Sequence, residues 1–253
     1  MAELAKRRVM IGSPSYDGKL TVWYVNSLIE TMKQADQHNV EIIPIWVSFD
    51  ALVQRCRNDT LAIAIQQDVD DLIWIDTDIE WQPEWIFRLL EQSVDIVGGT
   101  YPKKGDKEEQ YVLNLGNNTG VVDPVTGLME VAGLGTGFLR FSRAACRWLW
   151  DNSTPYIERE KNNQEKRWAF DVAIRDNDLI SEDIWVCRRL ADEGGFKIYL
   201  DPTITCNHIG EKKYEGNFLK WFNTYIKPQA RTINSLGYLE KYNRIQYGTN
   251  PPT

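Results

Sequence analysis

Two patterns of apolar and polar positions alternate along the first hundred residues of the chain. Short apolar runs of strand length stand at Arg8–Gly12, Val40–Val47, Leu72–Ile75 and Val94–Val97. Between these runs, apolar residues recur every three or four positions, which is the spacing of a helix with one buried face. Strands that alternate with helices favour an open, mostly parallel sheet covered by helices. The pattern therefore predicts a β-α-β-α-β-α-β order for this half of the chain.

Proline positions refine two of these elements. Pro44 interrupts the second strand, and because proline cannot donate a ladder hydrogen bond, we expect this strand at a sheet edge or a bulge. The second helix is predicted over about Ala51–Gln67. Pro83 is predicted to open the third helix, since proline is favoured at the first helical position.

Beyond Gly98-Gly99 the apolar runs are shorter and less regular, which predicts a small antiparallel portion. We expect a polar, mobile loop over Asn152–Trp168 and a domain that covers residues 1–215. The tail, 216–253, is predicted to consist of aromatic helical pieces packed on that domain and broken at Pro228 and Gly237. The remaining predicted elements are strands at Tyr111–Leu115, Gly120–Val122, Leu128–Val131, Phe138–Phe141 and Lys197–Leu200, and helices at Arg143–Trp150 and Glu182–Glu193.

The segment Leu72–Trp81, LIWIDTDIEW, carries the clearest chemical signal. A buried strand ends abruptly in Asp76-Thr77-Asp78. Carboxylates this close repel each other unless a cation lies between them, and Mg²⁺ and Mn²⁺ prefer such oxygen ligands and share them with phosphates. In open α/β sheets the carboxyl ends of strands also face ligands. The alternative is a solvated strand end with helix-capping residues.

Three further features have a chemical and a structural interpretation. His208 is one of two histidines and follows a predicted strand and a loop, so it is either a metal ligand or structural. Glu182 and Asp183 open a helix after Ser181, where one carboxylate can act as a base or both can complement the helix dipole. Gly133–Gly137 is either an approach to a ligand or a turn.

Composition excludes some classes. The 253 residues carry a formal net charge of −7, which argues against strong non-specific binding of nucleic acid. A local basic groove remains possible from six residues. No apolar stretch is long enough for a membrane span, so we expect no membrane partner and a cytoplasmic location. The four cysteines are widely spaced and are interpreted as reduced thiols. The candidate groove residues are Lys103, Lys104, Lys107, Arg140, Arg143 and Arg147.

Taken in order, these motifs resemble the GT-A fold of nucleotide-sugar glycosyltransferases, and most of all a phage-encoded branch near the mannan-polymerase type. The resemblance covers about residues 8–210 and implies a Rossmann-like mixed sheet, mostly parallel, flanked by helices. The motifs that carry it are Pro14-Ser15-Tyr16-Asp17, Arg57-Asn58, Leu72–Asp78, Val97–Pro102, Gly135–Phe138, Ser181-Glu182-Asp183, and Asp201-Pro202 before His208.

The resemblance also implies a role for each matching residue. Asp78 and His208 would hold Mn²⁺ (or Mg²⁺) on the donor diphosphate, with Asp76 acting directly or through the ribose. Asp183, with Glu182 as second choice, would be the base if the reaction inverts the anomeric carbon. The residues that would line the donor are Pro14, Tyr16, Asp17, Arg57, Asp76, Thr77, Gly135, Thr136 and Gly137.

The implied function is metal-dependent transfer of a sugar from a nucleotide-diphosphate sugar, UDP-sugar favoured, to an acceptor hydroxyl. The acceptor is either a glycan or a hydroxymethylated pyrimidine in phage DNA. Two alternatives stay open: a nucleotidyltransferase, for which Gly12–Lys19 is a poor phosphate loop, and a non-catalytic module that binds nucleotide sugars. The sequence leaves the oligomeric state undetermined.

Overall fold

A computed structural model describes residues 5–105, 110–116, 120–159, 164–175 and 177–227. The strands are β1 Arg7–Ser15, β2 Val40–Ser48, β3 Asp71–Ile75, β4 Ile79–Glu80, β5 Ile96–Thr100, β6 Leu113–Asn114, β7 Met129–Val131, β8 Gly133–Leu134, β9 Phe138–Ser142, β10 Thr154–Glu158, β11 Gln164–Trp168, β12 Ala173–Arg175, β13 Asp178–Ile180, β14 Ile198–Thr205, β15 Asn207–Ile209 and β16 Lys213–Tyr214. The α-helices are α1 Val22–Ala35, α2 Val53–Gln66, α3 Pro83–Glu91, α4 Arg143–Asp151, α5 Glu182–Asp192 and α6 Phe218–Trp221.

A seven-stranded sheet in the order β2-β1-β3-β9-β5-β14-β7 organises the described residues. The strands β2, β1, β3, β5 and β14 run in one direction, whereas β9 and β7 run antiparallel to their neighbours. This mixed, mostly parallel sheet with small antiparallel sheets beside it confirms the predicted α/β class and agrees with a GT-A-like fold. β2 lies at the sheet edge, as Pro44 predicts.

Both faces of the sheet are covered, and β3 shows how. Leu72 and Trp74 belong to one buried apolar cluster, and Ile73 and Ile75 belong to a second cluster on the opposite face. Because successive side chains of a strand point to opposite faces, burial of both faces explains why Leu72–Ile75 of β3 are all apolar. All five of its residues are buried.

The predicted mobile loop at Asn152–Trp168 is wrong. This stretch contains β10 and β11, which pair as an antiparallel hairpin. Lys166 on β11 is buried, with its ammonium 2.5 Å from Asp59 of α2 and in contact with Glu158 of β10. Lys166 therefore belongs to a buried ion-pair cluster that fastens the hairpin to α2, while most other residues of the two strands are exposed or half-buried.

The predicted basic groove is also wrong for its three arginines. Arg140 is buried, and its Nε lies 2.6 Å from Asp71. Arg143 and Arg147 both pair with Asp68, at 3.1 and 2.5 Å. Acidic partners neutralise all three arginines. The sixth candidate of this groove, residue 107, lies outside the described residues.

The described part of the tail belongs to the core. After α6 the chain continues as a π-helix over Phe222–Ile226. Phe218, Trp221, Phe222 and Ile226 are buried in the same cluster as Leu72 and Trp74. The expected breaks at 228 and 237 lie outside the described residues. None of the described helices is both long and apolar enough to cross a bilayer.

Candidate active site

The turn after β3 is fixed by backbone hydrogen bonds. The Ile79 amide donates to the Asp76 carbonyl at 3.0 Å, which closes a tight turn around Thr77 and Asp78. The Thr21 amide and hydroxyl both donate to the Thr77 carbonyl at 3.1 Å, and Thr21 is also the N-cap of α1. The turn that carries both aspartates is thereby anchored to the start of a helix.

Strand pairing brings His208 to this turn. β4, which follows Asp78, pairs with β15 so that His208 lies opposite Ile79, and the Ile209 amide donates to the Asp78 carbonyl at 2.8 Å. As a result His208 Nε2 lies 3.6 Å from Asp78 Oδ1. The structure thus brings together two of the three predicted metal ligands across 130 residues of sequence.

The donor set of this pair fits a divalent cation. The Pro102 carbonyl lies 2.9 Å from His208 Nδ1. Because a carbonyl only accepts, Nδ1 carries the proton, and in the neutral ring the Nε2 lone pair then faces the Asp78 carboxylate. A backbone carbonyl that fixes the tautomer of a histidine is typical of metal-binding imidazoles. Two acceptors at this spacing require a cation or a proton between them.

Lys104 contacts the other oxygen of Asp78. Its ammonium lies 2.5 Å from Asp78 Oδ2. Burial disfavours the charged carboxylate, but the hydrogen bonds and positive charges of Lys104 and of protonated His208 outweigh this, so the pKa of Asp78 lies below its ordinary value. Asp78 is therefore ionised at neutral pH and available to a cation.

Asp76 turns in another direction. Its Oδ1 lies 3.0 Å from Arg57 Nη2, and Arg57 Nε lies 3.4 Å from Glu182 Oε1. Arg57 projects from α2, is buried, and lies over the Trp74 ring at 5.9 Å. Its Nη1 has no hydrogen-bond partner among the described residues. A buried guanidinium with an unused donor is suited to an anion such as a phosphate.

Arg57 also affects the neighbouring carboxylates. Burial raises the pKa of Glu182 above its ordinary value; Arg57 opposes this shift, and the negative charge of Asp183 adds to it. With Asp76 paired to Arg57, no three His, Cys, Asp or Glu side chains of the described ranges form a metal-binding group. Asp78 and His208 are the two predicted ligands that the structure brings together, and the metal-binding role of all three residues stays a prediction.

A cavity of about 360 Å³ joins most of these side chains. This volume is in the range of small-ligand sites. Eight residues of the predicted site line it, together with four residues to which the sequence analysis gave no role. The predicted eight are Pro14, Tyr16, Arg57, Asp76, Thr77, Asp78, Glu182 and His208, and the other four are Asp50, Ala51, Val53 and Cys56. These four residues lie between β2 and the first turn of α2. Their position at the carboxyl end of a neighbouring parallel strand is the signal that could have identified them as site residues.

Four predicted donor residues are not among those that line this cavity. Asp17 pairs with Lys19 at 2.7 Å. Gly135 and Gly137 instead make room for Tyr101, because a Cβ on either would lie within 2.5 Å of the Tyr101 hydroxyl oxygen. Thr136 is buried between them, and its hydroxyl has no hydrogen-bond partner in the described part of the chain. Contact of these residues with a donor stays a prediction.

A second cavity, of about 220 Å³, lies on the Asp183 side of the start of α5. Asp183 lines it, whereas Glu182 lines the first cavity. Asp183 accepts hydrogen bonds from the Ser181 hydroxyl and, at 2.7 Å, from the Ile184 amide. Lys103 and Arg188 also line this cavity. The two adjacent carboxylates therefore line two different cavities.

No protein-family model and no curated protein sequence matches the chain. Among solved structures, protein A197 from STIV is 18% identical with a TM-score of 0.49, over 81% of this chain and 86% of that one. A glycosyltransferase involved in glycosylation of the major capsid of PBCV-1 is 11% identical with a TM-score of 0.31, over 55% and 62%. The inositol-1-phosphate CTP transferase from T. maritima is 11% identical with a TM-score of 0.38, over 98% and 99%. Since each TM-score is below 0.5, the description of the fold rests on the sheet topology.

Proposed function

We propose that this protein is a metal-dependent glycosyltransferase that moves a sugar from a nucleotide-diphosphate sugar, with UDP as the favoured nucleotide, to an acceptor hydroxyl. The observation that carries the proposal is the pair of Asp78 Oδ1 and His208 Nε2, 3.6 Å apart on the wall of a cavity that also contains Arg57. This combines a cation site with a buried guanidinium, which is what a diphosphate group requires.

Each side chain then has a defined task. Asp78 and His208 would hold Mn²⁺ or Mg²⁺, which when bound stabilises charge on the leaving diphosphate. Arg57 keeps Asp76 and Glu182 oriented through its 3.0 and 3.4 Å contacts and offers Nη1 to a phosphate oxygen. Pro14 and Tyr16 line the same cavity and would contact the nucleoside.

The second cavity would receive the acceptor. Asp183 lines it and would accept the proton of the acceptor hydroxyl while that oxygen bonds to the anomeric carbon and the diphosphate oxygen leaves. Glu182 is the less favoured base because it pairs with Arg57 in the donor cavity. This assignment holds for an inverting reaction.

The first experiment tests the donor site. Purified protein is incubated with UDP-, GDP- and TDP-sugars and Mn²⁺, and release of nucleoside diphosphate is measured. We expect hydrolysis of one donor class, reversible loss with EDTA, and a loss of roughly 10²-fold or more in Asp78→Asn. Asp68→Asn, on the surface at the other end of β3, is the matched control and keeps wild-type rates. Full activity in EDTA contradicts the metal assignment.

A second experiment separates the two carboxylates. Asp183→Asn is expected to reduce transfer by about 10²- to 10⁴-fold with donor affinity unchanged, as for loss of a general base. Glu182→Gln is expected to weaken donor binding, because its partner Arg57 shifts. Both are measured by calorimetric donor titration and by transfer rate. The reverse result assigns the base to Glu182.

The acceptor class is tested separately. The preferred radiolabelled donor is offered to hydroxymethylcytosine-containing DNA and to simple sugars, and label incorporation is compared. A nucleotidyltransferase would instead release pyrophosphate from a nucleoside triphosphate. A non-catalytic module would bind the donor in a calorimeter and give neither hydrolysis nor transfer.

A further inference from the structure

Lys104 occupies a position that a metal ion would need. Its ammonium lies 2.5 Å from Asp78 Oδ2, while His208 faces Oδ1 of the same carboxylate. The positive charge of Lys104 neutralises Asp78 and opposes the binding of a second cation there. No other lysine or arginine has an ion pair to Asp78 among the described residues.

The aliphatic part of the Lys104 side chain packs against Gly210, where the lack of a side chain leaves room for it. A Cβ on Gly210 would lie 3.2 Å from Lys104 Cδ and 3.2 Å from the Tyr214 ring. Gly210 is held by its amide, which donates to the Lys212 carbonyl at 2.9 Å in the turn between β15 and β16. The lysine is thus placed by the same turn that follows His208, rather than resting on the surface by chance.

The neighbouring Lys103 provides a contrast. It lines the second cavity and pairs with no carboxylate of the described ranges, whereas Lys104 pairs with Asp78 of the first cavity and is not itself among the residues that line that cavity. Lys104 is also partly exposed on a flexible four-carbon stem, which allows its ammonium to change partner without backbone movement. The strongest new partner available in the donor cavity would be a diphosphate, which carries more negative charge than one carboxylate.

We propose that Lys104 is an exchangeable cation: it holds Asp78 when the donor is absent and moves to the diphosphate when the donor binds, which releases Asp78 to the metal. The inference rests on the proposed function. It makes metal binding depend on the nucleotide, so that the free protein binds Mn²⁺ weakly and the nucleotide complex binds it tightly. The ligand class that drives the exchange is a nucleoside diphosphate.

The test uses Lys104→Met, which keeps an unbranched stem and removes the charge. Mn²⁺ affinity is measured by electron paramagnetic resonance without nucleotide, and UDP and GDP affinities are measured by calorimetry at saturating Mn²⁺. We expect Lys104→Met to bind Mn²⁺ about 3- to 10-fold more tightly than the wild type and the preferred nucleotide about 10-fold more weakly. Lys197→Met, which removes an exposed lysine that lies just before β14 and pairs with Glu130, is the control and changes neither Mn²⁺ nor nucleotide affinity.

Two further measurements separate loss of the charge of Lys104 from loss of the folded structure. Lys104→Arg retains the charge and is expected to restore most of the nucleotide affinity. Thermal unfolding verifies that the variants remain folded. If the wild type binds Mn²⁺ and nucleotide but Lys104→Met behaves like Lys197→Met, the exchange is wrong and the proposed function stands. If the wild type binds neither Mn²⁺ nor either nucleotide, the proposed function fails, and the exchange with it.

Discussion

The two ends of β3 carry the same kind of side chain in opposite settings. At its start, Asp71 is fully buried between two arginines: Arg7 lies 2.6 and 3.0 Å from its oxygens, and Arg140 lies 2.6 Å away. At its other end, Asp76 and Asp78 are partly exposed on a cavity wall, where Asp76 pairs with Arg57 and Asp78 contacts Lys104 and His208. We call the buried end, at Asp71, the closed end of β3, and the end that reaches the cavity wall, at Asp76 and Asp78, the open end.

The two ends differ in whether the arginine has a hydrogen-bond donor without a partner. At the closed end, Arg140 Nη1 also donates to the carbonyls of Leu89, Gln92 and Val94, and no buried nitrogen of Arg140 lacks a partner among the described residues. At the open end, Arg57 keeps Nη1 unpaired among the described residues. A buried ion pair whose buried donors all have partners in the protein holds the fold, whereas one with an unpaired donor beside a cavity is suited to bind a ligand.

The largest effect is expected from breaking the closed end. Asp71→Asn leaves Arg140 buried without its counter-charge, and we expect a loss of about 3–5 kcal/mol in the free energy of unfolding. Asp78→Asn removes a partly exposed pair at the other end of the strand and is expected to cost less than about 1 kcal/mol. Urea titration of both variants measures this contrast. Equal losses would show that the open end also holds the fold.

A smaller effect is expected from the packing beneath the open end. A Cβ on Gly137 would lie 2.5 Å from the Tyr101 hydroxyl oxygen and 2.6 Å from Cζ of the ring. Gly137→Ala is therefore expected to lose about 1–3 kcal/mol from overpacking. Gly105→Ala, where a Cβ meets nothing within 4 Å, is the matched control. The same urea titration applies, and identical midpoints for the two variants would contradict the packing role.

The smallest effect, counted per pH unit and per thiol, is a pH dependence that arises from two buried cysteines. Burial raises the pKa of Cys146, next to Asp71, and of Cys187, next to Asp183, to about 12 from 9.0. The folded protein keeps these protons while the unfolded chain loses them, so the stability that they contribute is complete below about pH 9 and declines as the pH rises towards 12. The slope is at most about 1.4 kcal/mol per pH unit for each thiol.

Stability measured from pH 8.5 to 10.5 tests this dependence. Cys146→Ala and Cys187→Ala should each reduce the slope by a similar amount, since burial raises the pKa of both thiols to about 12. An unchanged slope in either variant would mean that the corresponding thiol ionises normally in the folded protein.

Sequence patterns predicted the elements whose signal is local. The apolar run of β3, the helix that starts at Pro83 and the edge position of β2 all follow from neighbouring residues. The sequence also predicted that Asp78 and His208 meet, through a resemblance rather than through a local rule. Eight of the predicted site residues line one cavity.

What the sequence left undetermined depends on distant partners. The sequence around Lys166 indicates a loop, because its ion-pair partner Asp59 lies 107 positions earlier and is not visible in the local pattern. Arg140 reads as surface charge until Asp71 neutralises it. Lys104 and Asp78 lie 26 residues apart and meet only because Lys104 packs over Gly210 beside His208. A charged side chain has no period that indicates its partner, so these pairs become visible only in three dimensions.

The pairing of β4 with β15 has a consequence for the order of assembly. The turn that carries Asp78 is fixed by hydrogen bonds of Thr21 and Ile79, both within the first hundred residues, but His208 reaches it only when β15 pairs with β4. A chain that emerges from the ribosome therefore presents an incomplete pair of proposed metal ligands until residues 207–209 are made and paired with β4. Capture of the metal would then mark the completion of the fold, and a nascent chain would be unable to bind its cation prematurely.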